Sequence, residues 1–110
     1  MRPEYYADLY RRYAEYCRDL SGNRLTRVAC GPSGNDGNWT RTVMERVGGR
    51  MQALSLHQYT LAAPWHEKRP ATGFDEAAWF AIVREALTME KTLDDTEEIM
   101  DKTDPQKRIG

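Results

Sequence analysis

His57 and Tyr59 stand two residues apart at the end of the apolar run Leu54-Ser55-Leu56. In a strand, residues i and i+2 point to the same side, so the imidazole and the phenol would face one way and Gln58 the other. In α/β proteins the C-terminal ends of strands form the active-site rim. A His and a Tyr there can hydrogen-bond ligand hydroxyls or orient a carboxylate; the alternative is a buried pair that satisfies itself. Asn38 and Trp39 offer a second set of groups where the Gly-rich stretch 31–37 runs into a helix. An indole can cover the apolar face of a sugar ring while an amide addresses its hydroxyls. The plainer reading is a capping Asn and a core Trp. Trp65, followed by His66, falls in a long irregular stretch after the second strand. It is either a binding residue or part of a lid.

Other chemistries are argued against by the same residues. Neither strand contains an Asp or Glu, and the acidic residues fall mostly on helix surfaces. The chain thus shows part of a site without an evident catalytic carboxylate pair. His57 and His66 lack a third ligand at suitable spacing, so no metal site is expected. Residues 31–37 lack both the Lys-Ser/Thr of a P-loop and GxGxxG spacing, and no cofactor is expected. Asn38-Trp39-Thr40 fits the N-glycosylation sequon, which matters only in a secreted protein. Sixteen basic residues balance 17 acidic ones for a net charge of −1. That provides no field for nucleic acid or an acidic membrane. No apolar run approaches the ~20 residues of a membrane span. Met1-Arg2-Pro3-Glu4-Tyr5 lacks the apolar core of a signal peptide, and a cytoplasmic location is expected. Cys17 and Cys30 fit neither a disulfide framework nor a CxxC site, and they read as reduced, buried thiols.

The elements that must position these groups follow from periodicity. Residues 3–20 form a helix, with Pro3 in its first turn and Tyr6, Leu9, Tyr10, Tyr13, Cys17 and Leu20 on one face, stopped by Gly22. Leu25 to Cys30 is a strand with Val28 and Ala29 buried, and 31–37 is a loop. Asn38 caps a helix over 39–47, with Trp39, Val43 and Val47 on one face, which Gly48-Gly49 ends. Met51 to Tyr59 is the second strand, and 61–73 a loop. Asp75 caps a helix over 76–101, with Trp79, Ile82, Val83, Ala86, Leu87 and Leu93 at helical spacing; Asp104-Pro105 ends it. The order α-β-α-β-α implies parallel strands joined by right-handed crossovers. Two strands leave unpaired edges, so marginal stability and self-association are expected.

With these residues in place, the chain resembles the middle of the catalytic barrel of glycoside hydrolase family 51, the α-L-arabinofuranosidases. The stretches that carry the resemblance begin with Arg2 to Tyr13, then Ala29-Cys30-Gly31-Pro32 and Asn38-Trp39-Thr40. They continue with Leu54-Ser55-Leu56-His57, Tyr59-Thr60, Ala71-Thr72, Phe74-Asp75-Glu76, Trp79-Phe80, Ile99-Met100-Asp101 and Asp104-Pro105. They stand in the family's order and cover nearly all 110 residues.

The resemblance implies a (β/α)8 TIM barrel and a retaining mechanism that removes terminal non-reducing arabinofuranosyl groups from arabinan or arabinoxylan. It implies two glutamates with carboxyl groups ~5–5.5 Å apart. In the family one lies in an Asn-Glu motif before the segment matching Met1-Arg2-Pro3. The other lies in an Asp-Glu-Trp-Gly motif after the segment matching Lys107 to Gly110. Neither motif occurs in this sequence. Residues 1–110 then read as a fragment of the catalytic domain, since a complete barrel needs eight strands and ~250 residues. This fragment alone is expected to be inactive. By resemblance Tyr59 positions the nucleophile, His57 neighbours it, and Asn38 and Trp39 lie at the rim. The parent enzyme is expected to be a homo-oligomer acting on arabinose-containing saccharides. Gln58, Gly37 and Leu61 to Arg69 depart from the family pattern. The alternative is a non-catalytic α/β sugar-binding or assembly module.

Overall fold

The computed structural model describes residues 1–67 and 69–110. Lys68, inside the loop expected over 61–73, lies outside the described residues. Helix α1 spans Pro3–Ala14, with Pro in the first turn and Arg11 and Arg12 in the last, where their charge suits the helix dipole. Ala7 is its one fully buried residue, while Tyr6 and Tyr10 pack partly buried against the core. The helix stops six residues short of the expected end. The Arg27 guanidinium donates to the Cys17 carbonyl at 2.7 Å, and the Leu25 N–H donates to the Asp19 carboxylate at 3.0 Å. Such side-chain bonds compete with the helical ladder. Gly22, at φ +77°, turns the chain well beyond the helix instead of ending it. Tyr13, Tyr16 and Leu20 are left exposed.

Strand β1 is Val28–Ser33, three residues later than expected, and β2 is Ala53–His57. They pair in parallel, Val28 with Ala53, Ala29 with Leu54 and Cys30 with Ser55, and a bulge precedes the Ser33–His57 pair. The shift follows from Gly31 and Pro32. A Cβ at Gly31 would lie 1.9 Å from the Ser55 carbonyl oxygen, so only glycine lets the strands approach there. Pro32 has no N–H to give to a ladder, and it stands in the bulge between the Cys30–Ser55 and Ser33–His57 pairs, a position where proline is tolerated.

Both sheet edges are partly occupied, which corrects the expectation of two bare ones. Alternation turns the Cys30 main chain outward from β2. There its N–H donates to the Tyr6 hydroxyl at 2.6 Å, and its carbonyl accepts from Trp39 Nε1 at 2.9 Å. On the far side of β2, the Gly110 N–H donates to the Gln52 carbonyl at 3.0 Å, and the Leu54 N–H donates to the Gly110 carbonyl at 2.8 Å. One residue taking bonds from positions flanking Ala53 is the parallel-ladder pattern. Gly110 thus sits where a third strand would lie. Buried Asp104 sets up this approach, accepting from the N–H groups of Arg108 at 2.6 Å and Ile109 at 2.8 Å.

Helix α2 is Gly37–Val47, and a 3-10 turn, Gly48–Arg50, follows it. The cap is Asp36, not Asn38: its carboxylate accepts from the N–H groups of Asn38 and Trp39, both at 3.1 Å. Val43, Met44 and Val47 pack with Ala29, Met51, Leu54 and Ala7 to form the core. Asp75 caps α3, Glu76–Ala86, as expected. The single helix expected over 76–101 instead breaks at Leu87, and α4 runs Thr88–Thr103. At the break the Thr88 hydroxyl donates to the Glu85 carbonyl at 2.6 Å and accepts from Gln58 Nε2 at 2.8 Å. That redirects the chain.

Helices α1, α2 and α4 cover one face of the sheet. The other face carries Val28, Cys30 and His57, all exposed. Both thiols are free and exposed, which corrects the expected burial: Cys30 stands on the open face and Cys17 in the irregular stretch after α1. Helix α3 buries nothing, and Trp79, Phe80, Ile82 and Val83 stay exposed. The radius of gyration, 17.5 Å, exceeds the about 13 Å of a compact domain this long. The excess reflects this apolar helix and an open sheet face.

Candidate functional site

The ends of both strands are tied together before any side chain is considered. The Gly34 N–H donates to the His57 carbonyl at 2.7 Å, linking the loop after β1 to the last residue of β2. His57 points to the open face, its Nδ1 3.4 Å from the Pro32 carbonyl. Gln58 turns the other way, as strand alternation requires. Its Nε2 donates to the Thr88 hydroxyl, and its Oε1 accepts from the Thr92 hydroxyl at 3.1 Å. Both ends of the amide are therefore fixed to the first turns of α4, with Thr92 buried. Tyr59, past the end of β2, is 69% exposed and meets Trp65 edge to face, ring centroids 5.3 Å apart.

Gln58, Tyr59 and Trp65 line a cleft of about 570 Å³ between the loop after β1, the end of β2 and the start of α4. Ser33, Gly34 and Asn35 form one wall, and Thr88, Lys91 and Thr92 the other. Across the outer end, Asp95 accepts from Asn35 Nδ2 and pairs with Lys91 Nζ, each at 2.6 Å. The Lys91 hydrogen bond, then that of Asn35, hold the Asp95 carboxyl below its usual range; in return Asp95 raises Lys91. The lysine charge is thus compensated within the cleft wall.

The structure brings Tyr59 and Trp65 into one cleft and sets His57 on the adjoining open face. Asn38 and Trp39 are placed differently. Asn38 is exposed in the first turn of α2. Trp39 is partly buried, its ring 5.4 Å from Tyr6 and its indole N–H on Cys30. Its visible work is to hold β1, and neither residue lines the cleft. Sequence reasoning missed Asn35, Thr88, Lys91 and Thr92. The spacing Thr88, Lys91, Thr92 puts all three on one helical face, a signal obscured because the helix break at Leu87 was not foreseen.

The architecture so far is a parallel α/β unit with polar and aromatic groups gathered at the strand C-termini. The comparisons with known proteins are more specific. No family model matches the chain. It is 48% identical over all 110 residues to an intracellular exo-α-L-arabinofuranosidase from Bacteroides ovatus, of which it spans 21%. It superposes over its whole length on the glycoside hydrolase family 51 arabinofuranosidase from Xanthomonas axonopodis pv. citri, with a TM-score of 0.95, 36% identity and 22% of that chain covered. A family 51 α-L-arabinofuranosidase from Bifidobacterium longum gives a TM-score of 0.69 at 26% identity, covering 96% of this chain and 20% of that one. The chain therefore matches a segment of the family 51 arabinofuranosidases, about a fifth of the length of the curated relative.

Proposed function

We propose that these residues form part of a retaining α-L-arabinofuranosidase that releases terminal non-reducing arabinofuranosyl groups from arabinan or arabinoxylan. The observation that carries this reading is the whole-length superposition on a solved family 51 enzyme. In this account residues 1–110 are one part of a (β/α)8 catalytic barrel. The parallel β1–β2 pair and Gly110 beside β2 fit consecutive barrel strands. A retaining glycosidase needs two carboxyl groups ~5–5.5 Å apart across the bond it cleaves. Neither described strand carries one, so both must come from elsewhere in the active enzyme.

The residues present supply positioning and binding. Tyr59, at the mouth, presents its hydroxyl to the nucleophilic carboxylate, and His57 stands beside it on the interior face. Trp65 is the substrate-side aromatic at the cleft, whereas Trp39 acts by holding β1 through Cys30, and Asn38, exposed at the start of α2, stands away from the cleft and is at most an outer rim residue. The reaction as proposed uses no cofactor. The name of the curated relative supports a cytoplasmic setting. No helix of the described residues is long and apolar enough to cross a membrane.

The test is a graft in which this chain replaces the matching segment of the Bacteroides ovatus relative. Hydrolysis of an aryl α-L-arabinofuranoside by the graft is expected, with none by the 110-residue polypeptide alone. A folded but inactive graft overturns the proposal.

A further inference from the structure

We propose that Gln58 is a positioning residue for the reaction: it ties the end of β2 to helix α4 and thereby aims Tyr59. The inference rests on the arabinofuranosidase reading, in which the Tyr59 hydroxyl meets the nucleophilic carboxylate. It adds what holds that hydroxyl in place.

Three observations carry it. First, Tyr59 has little hold of its own. Strand β2 ends at His57, and Tyr59 makes no hydrogen bond among the described residues. Its ring is largely exposed and meets Trp65 edge to face. The chain leading into it must therefore set its place. Second, that chain is anchored twice just before Tyr59. The His57 carbonyl accepts from the Gly34 N–H at 2.7 Å. The Gln58 amide is then engaged at both ends, Nε2 on Thr88 at 2.8 Å and Oε1 on Thr92 at 3.1 Å. Third, these bonds have one workable sense. The Thr88 hydroxyl gives its single proton to the Glu85 carbonyl at 2.6 Å, so it offers Gln58 only a lone pair. The amide nitrogen must lie there, which turns Oε1 toward Thr92. A reversed amide would set two lone pairs against each other at Thr88. Thr92 is buried, so water competes poorly for the anchor. With its amide engaged at both ends, Gln58 acts through Tyr59 rather than on the substrate. Such an anchor matters because a misplacement of about 1 Å can cost ~10²-fold in rate.

The test is a double-variant cycle in the active graft, with an aryl α-L-arabinofuranoside as substrate. Gln58→Met keeps the side-chain length and removes both bonds. It should lower kcat about three- to tenfold and leave KM within about twofold of the parent. In a graft already carrying Tyr59→Phe it should lower kcat no further, because residues that act as a unit are not additive. A merely structural role would cost the same in both backgrounds. Thr92→Val, with and without Tyr59→Phe, should repeat this pattern from the other end of the clamp. Thr92→Ser, which keeps the hydroxyl, should recover most of the loss. The Thr92 variants decide the matter if Gln58→Met does not fold. Folded grafts that turn over at the parent rate without the clamp overturn the positioning role and leave the arabinofuranosidase reading standing. So does a loss of the same size with Tyr59→Phe as without it. A folded parent graft with no activity refutes that reading and this inference with it.

Discussion

Replacing Tyr6 by Phe isolates one hydrogen bond that closes the outer edge of β1. The Tyr6 hydroxyl accepts from the Cys30 N–H at 2.6 Å, and the phenylalanine ring would keep its neighbours, Trp39 at 5.4 Å and Tyr10 at 6.1 Å. No cavity forms, so the change measures the bond. A buried N–H left without an acceptor costs about 1–3 kcal/mol, and one that water reaches costs nearer ~1. Tyr6 is partly exposed, so about 1–2 kcal/mol is expected. Burial pushes the Tyr6 phenol above its usual pKa, the Cys30 bond opposing, so the hydroxyl stays neutral through any ordinary assay pH. Urea unfolding at pH 7 should show a lower midpoint with an unchanged slope, and the Cys30 amide should exchange faster. Trp39→Phe removes the donor to the Cys30 carbonyl and should cost at least as much. Because the two rings touch and share Cys30, the double variant should depart from additivity by about 0.5 kcal/mol or more. A Tyr6→Phe chain within ~0.3 kcal/mol of the parent, its Cys30 amide still protected, would refute the clamp.

Three further outcomes follow from the packing. Burial raises the Asp104 carboxyl, but the Ile109 N–H, Arg108 side chain and Arg108 N–H outweigh it and hold it below 3.8. The folded state therefore binds this proton more weakly than the unfolded chain. The stability it confers is present above the ordinary carboxylate range and is lost as pH falls through the lowered value; Asp104→Asn should flatten a plot of melting temperature against pH below about 4. Thr40 is buried and its hydroxyl has no partner among the described residues, so Thr40→Val should raise stability by about 1 kcal/mol in urea titrations. Gly31→Ala forces a Cβ against the Ser55 carbonyl, and calorimetry should show a loss of about 1–3 kcal/mol or more.

The local patterns legible in the sequence were those that depend on neighbours a few residues away. Val43 and Val47 on one face of α2, Asp75 as a cap and the parallel α/β order all follow from spacing. Element ends were misplaced where a distant partner decides them. Helix α1 stops because Arg27 and Leu25 claim groups after Ala14, and the break at Leu87 is fixed by Gln58, thirty residues before Thr88. The exposed Trp79 and Phe80 mark a different limit: helical spacing predicts an apolar face, not whether anything covers it. At the site, the types and spacing of His57 and Tyr59 pointed to the strand end. The bracing of Gln58, between them, by Thr88 and Thr92 lay in another element and could not be read from spacing.

The central claim is that the end of β2 belongs to an arabinofuranosidase site, and the turnover rate of the active graft carrying Tyr59→Phe tests it most directly. The hydroxyl would act by positioning a carboxylate, so kcat for an aryl α-L-arabinofuranoside should fall at least about tenfold with little change in KM. Tyr13→Phe, at the exposed end of α1, should match the parent graft. A folded Tyr59→Phe graft that turns over at the parent rate would contradict the account.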